Sequence, residues 1–179
     1  TYTSITSALA AAAPGDRIFV SPYGDYTENL TISQSVTLAS AVSGTSFNVV
    51  GSLIINGAPN MDVKVVGGNF SSSCIANTGG TSLNDMADVY LIESKFSFIT
   101  GYDFVRMHVL FCSVSNTTIR HGEVRGCVMS MVTVWDGPNV GIGDTVFIVG
   151  NKARIYWNNN DNYFFIANFI CTCCWRTSS

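Results

Sequence analysis

The side chains best suited to chemistry fall in two short stretches of this sequence. Asp103, Arg106 and His108 bring a carboxylate, a guanidinium and an imidazole close together, and Arg120, His121, Glu123 and Arg125 form the densest ionic cluster. Groups of these types move protons when poised against a substrate, and paired carboxylates cleave glycosidic bonds. Alternating charge is also what strand positions facing solvent on either side of a glycine present, and that plainer reading is adopted for both groups. If they act together, they must stack on neighbouring strands. Asn84-Asp85-Met86-Ala87-Asp88, the nearest acidic pair, reads as a solvated turn in which Asp bonds nearby backbone. The chain contains no Asp-Asp pair, no Gly-His-Gly and no Arg-x-Lys, so no catalytic residue is assigned.

Cysteine is the other reactive type. Cys74, Cys112, Cys127, Cys171, Cys173 and Cys174 make an even set that permits disulfides, and Cys171-Thr172-Cys173-Cys174 contains the C-x-x-C spacing of a zinc knuckle or redox pair. No second C-x-x-C completes a four-thiolate site, and neither histidine lies nearby. Buried free thiols are the favoured reading, with an oxidised state as the alternative, because cysteine is among the most buried residue types. No metal and no cofactor is expected.

The elements that must position these groups read as short strands. With 179 residues and 47% hydrophobic content the chain can bury one core, and no polar linker divides it, so a single domain over 1–179 is expected. Only 12% of residues are charged and the net charge is -3, with the basic residues scattered. That leaves no basic stripe for phosphates, so nucleic acid is not an expected partner. Tyr163 to Trp175 is the longest apolar candidate for a membrane span, and it falls well short of the roughly 20 residues a helix needs.

Ile5, Ala8, Leu9 and Ala12 lie at helical spacing, with Thr3 or Ser4 as N-cap and Pro14-Gly15 as a stop. After them the chain switches to β-branched runs broken by Gly, Pro, Asn and Asp. Val63-Lys64-Val65-Val66-Gly67-Gly68-Asn69-Phe70 aligns with Val89-Tyr90-Leu91-Ile92-Glu93-Ser94-Lys95-Phe96 over its whole length. Small residues and an Asn also follow an apolar run at Val66-Gly67-Gly68-Asn69, Val149-Gly150-Asn151 and Ile166-Ala167-Asn168. Corners that need left-handed φ favour such residues.

The order of helix, Pro14-Gly15-Asp16, strand, Pro22-Tyr23-Gly24-Asp25-Tyr26 and strand resembles the first coil of the pectin lyase-like right-handed parallel β-helix. The resemblance implies an all-β solenoid of roughly six to seven coils spaced about 4.8 Å apart. It would have a capping α-helix at 3–13, coils over 16–157, and an aromatic and Cys-rich final coil and cap at 158–179. Many members of that family cleave acidic polysaccharides with clustered carboxylates, and this chain lacks the motifs for it. Tyr156, Trp157, Phe164, Phe165 and Trp175 concentrate aromatic surface at the far end, where they either close the last coils or form an interface.

The functional expectation is therefore a non-enzymatic structural protein with protein partners, a homo-oligomer or a particle lattice. A virion component is the most concrete form: capsid decoration, minor capsid protein or tail spike, on the virion surface or extracellular. The alternatives are a carbohydrate-binding or polysaccharide-degrading protein, whose ligand would be a glycan, and a bacterial surface adhesin fragment. Asp103, Arg106, His108, Arg120, His121 and Glu123 stand as the weak candidate polar site.

Overall fold

The computed structural model describes residues 1–135, 146–158, 165–167 and 170–176. The chain opens with α1 (Ile5–Ala11), whose N-cap is Ser4, its side chain accepting from the Ser7 N–H. Ile5, Ala8 and Leu9 are buried, the apolar stripe that the spacing predicts. Glu28 reaches across to accept hydrogen bonds from the Ile5 and Thr6 N–H groups, which satisfies two orphan donors of the first helical turn. Burial works against the Glu28 carboxylate, but these bonds and one from the Thr6 hydroxyl outweigh it and hold its pKa below the ordinary value.

Strands follow in sets. The first contains β1 (Asp16–Val20), β2 (Asp25–Tyr26) and β3 (Leu30–Ile32), and the second β4 (Val36–Ser40), β5 (Phe47–Val49) and β6 (Leu53–Ile55). The third contains β7 (Asp62–Val66), β8 (Gly68–Phe70) and β9 (Cys74–Ala76). Later sets have two strands each: β10 (Ala87–Ile92) with β11 (Lys95–Gly101), β12 (Val105–Leu110) with β13 (Ser113–Ile119), and β14 (His121–Arg125) with β15 (Val128–Trp135). The last are β16 (Val146–Val149) with β17 (Lys152–Asn158), and β18 (Phe165–Ala167) with β19 (Ile170–Arg176).

The molecule is all-β apart from α1 and a single 3₁₀ turn among the described residues, and its strands pair in parallel. One sheet takes the first strand of every set, in the order β1-β4-β7-β10-β12-β14-β16-β18. The other takes the remaining strands, with β3, β6 and β9 forming a branch that joins at β11. β11 pairs with β8 through Lys95 and with β9 through Ile99 to Gly101, so one long strand replaces two short ones. The first sheet has 8 strands.

Parallel register stacks like on like. Leu38, Val65, Leu91, Val109, Val124 and Ile148 occupy one inward row of the first sheet, and each is 0% exposed. Burying side chains of this size contributes about 1.5–3 kcal/mol each. On the facing side, Phe70 stacks on Phe96 with centroids 4.9 Å apart.

The junction from the first sheet to the second repeats one geometry. Gly67, Glu93, Phe111, Gly126 and Gly150 all have positive φ, so the five sets that begin with β7, β10, β12, β14 and β16 each make this corner with one left-handed residue. After the last four of these corners the next residue is buried: Ser94, Cys112, Cys127 and Asn151. Each satisfies the main chain of the preceding set. Gly68 N–H donates to Ser94 Oγ, Cys112 N–H to Cys127 Sγ, and Cys127 N–H to Asn151 Oδ1. Cys112 and Cys127 in turn donate to the Leu91 and Val109 carbonyls. Its hydrogen bond to Cys127, and then burial, push the Cys112 thiol pKa up. Cys74, Cys112 and Cys127 are buried free thiols. No helix among the described residues is long and apolar enough to cross a membrane.

Candidate functional site

The outward positions of the first sheet assemble the ionic residues. Register aligns Asp62, Asp88, Arg106 and His121 in one row, and Lys64, Tyr90, His108, Glu123 and Phe147 in the next. His108 on β12 sits between two carboxylates from the flanking strands. Its Nε2 lies 3.2 Å from Asp88 Oδ1 and its Nδ1 lies 3.0 Å from Glu123 Oε1. A neutral imidazole donates to one of them, whereas an imidazolium donates to both. Arg106 binds Asp88 at 2.9 Å and Arg125 binds Glu123 at 3.0 Å, which closes a chain of charges across three strands. Burial opposes the Glu123 carboxylate, but hydrogen bonds from His108 and Arg125 outweigh it and hold its pKa below the ordinary value.

The aromatic members of this row cover one another. Tyr90 stacks on His108 with centroids 4.2 Å apart and planes 7° from parallel, and the Lys64 ammonium lies 4.9 Å from the Tyr90 centroid. Burial, followed by the Asp88 and Asp62 carboxylates, pushes the Tyr90 phenol pKa up. Each ring spends one face on the other, a contact that ties neighbouring strands together.

The two sequence groups meet in the structure, though not all on one face. Arg106, His108 and Glu123 join the outer row. Asp103 and Arg120 form a separate pair at 2.8 Å. Arg120 and His121 are 4% and 6% exposed, so neither is the solvent-facing charge that the alternating-charge reading expects. Gly122, read as a turn, lies inside β14 with φ +118, and a Cβ there would run into the Met107 carbonyl.

Sequence reasoning missed Tyr90 and Lys64, and it read Asp88 as part of a solvated turn, whereas Asp88 lies on β10 and pairs with Arg106 and His108. The signal was present, because the repeat that aligns Val63 with Val89 also places Lys64 beside Tyr90 and Asp62 beside Asp88. Of the aromatic candidates, Tyr156 and Trp157 fall on β17, Phe165 on β18 and Trp175 on β19, with side chains outside the described set, and Phe164 lies outside the described residues.

At the opposite end, a cavity of about 470 Å³ opens between α1 and β1, lined by Tyr2, Ile5, Ala8, Arg17, Phe19 and neighbouring residues. Among the described residues no cluster of His, Cys, Asp and Glu is arranged to hold a metal ion. No family model matches the chain, and comparison with curated proteins and solved structures finds no similar protein.

Proposed function

We propose that this chain is a right-handed parallel β-helix acting as a non-enzymatic structural module of a larger assembly. Its most concrete form is a virion component on a capsid or tail, exposed on the virion surface or outside a cell. Support for the β-helix comes from strand order: successive sets add one strand each to the growing edge of the first sheet, with every pairing parallel. Crossover connections between parallel strands are right-handed in nearly all proteins.

The observation that carries the structural reading is the use made of the ionic side chains. Asp88, Arg106, His108, Glu123 and Arg125 are engaged with one another across strands, and Asp103 is engaged with Arg120. Groups used this way tie the stack together. Partners of the module are other proteins, copies of itself or a particle lattice. The test pairs two measurements: the native mass and stoichiometry of the chain in its source assembly, and incubation of the purified protein with an acidic polysaccharide. A fixed copy number per particle is the expected result. Depolymerisation of the glycan by a free monomer, abolished by His108→Ala, would overturn the reading in favour of the polysaccharide-degrading alternative.

A further inference from the structure

Among the described residues no strand pairs with β1 on the side away from β4. Ala41 N–H donates to the Val20 carbonyl at 2.7 Å, so the main-chain groups of Val20 face β4. Successive residues of a strand alternate, which turns the N–H and C=O of Arg17 and Phe19 toward the free edge. That edge borders the cavity beside α1. Natural sheets protect such edges with proline, lysine, a bulge or a covering element. β1 reads Asp-Arg-Ile-Phe-Val, and its register with β4 runs unbroken from Asp16↔Val36 to Val20↔Ser40.

We infer that this edge pairs antiparallel with β1 of a second copy, about a two-fold axis at Ile18. The sequence of the strand is self-complementary in that arrangement. Arg17 stands opposite the second copy's Phe19, and Phe19 opposite its Arg17, so the residues whose main-chain groups face outward form the hydrogen-bonded pairs of an antiparallel ladder. Each pair also sets a guanidinium beside a phenyl ring on the outer face. The contact has a local precedent, since Arg17 already lies 5.6 Å from the Phe19 centroid within one chain. Ile18 meets its own symmetry mate between them. Exposed aromatics converge on this end of the molecule, with Tyr2 57%, Phe19 62% and Tyr23 82% exposed, and aromatic side chains are enriched in interface cores. An isologous contact of this kind closes on itself and stops at two copies.

The inference deepens the assembly reading by naming one interface, and it is tested separately from it. Sedimentation equilibrium of the full chain over a wide concentration range is expected to show a reversible doubling of mass. Phe19→Pro removes an N–H that β4 does not use, and Phe19→Asp puts a charge on an exposed side chain that the core does not need. Both variants are expected to lose the dimer while keeping the wild-type far-ultraviolet circular dichroism. If Phe19→Pro fails to fold, Phe19→Asp decides. A wild-type chain that stays monomeric at every concentration, or a dimer that survives the folded variants, overturns the interface. Stoichiometric incorporation into a particle, measured on the source assembly, speaks to the broader proposal alone.

Discussion

His108 gains its importance from where the register puts it. A single imidazole touches carboxylates from both neighbouring strands, and Glu123 is held by it and by Arg125. Because the folded Glu123 pKa lies below its unfolded value of about 4.3, its contribution is fully present above that pH and is lost as pH falls through the folded value. Melting temperature followed against pH checks this: the gap between wild type and Glu123→Gln should be widest near neutrality and shrink through the acid limb. Gly122 has a purely steric role. Its left-handed φ and the adjacent Met107 carbonyl make Gly122→Ala costly by about 2 kcal/mol or more, readable as a lower urea midpoint with an unchanged slope. The Asp103–Arg120 pair is of a different kind, since the buried guanidinium needs its carboxylate to remain inside.

At the scale of elements, the corner between the sheets organises the molecule. From β7 to β16 each corner spends one left-handed residue, and after three of them Ser94, Cys127 and Asn151 accept from the preceding set's main chain. Ser, Cys and Asn fill the same position because each can accept at that distance. Cys127→Ser should therefore stay within about 1 kcal/mol of wild type, whereas Cys127→Ala strands the buried Cys112 N–H and should cost about 1–3 kcal/mol by chemical denaturation. Sequence made part of this legible. The alternating valines of β7 and β10, the helical stripe of α1 and the glycines at 67 and 150 all carry local signals that agree with the final packing. Glu93 and Phe111 carry none, because neither residue type favours left-handed φ and only the surrounding ladder holds them there. Asn69 misled in another way. It stands one position beyond the place of Asn151, on the strand opposite Lys95, where it bonds Asn48. Arg120 was legible in part: the sequence put it and Asp103 in groups that could stack, but nothing local to Arg120 shows that its guanidinium is buried.

For the whole molecule, register matters more than repeat length. Val63, Val89, Met107 and Gly122 occupy equivalent strand positions although the segments between them differ in length, and the loops absorb the difference. The ionic chain, the corner bonds and the aliphatic rows all run from strand to strand in the direction of stacking. The first sheet keeps its strands in chain order from one edge to the other, and this has a mechanical consequence. A force applied to the two ends of the polypeptide meets the strands one after another, as a zipper does. Pulling on a single molecule should release the sets singly, with extension steps of roughly 50 to 90 Å as successive segments straighten. The unequal steps would spell out the spacing of the register along the chain.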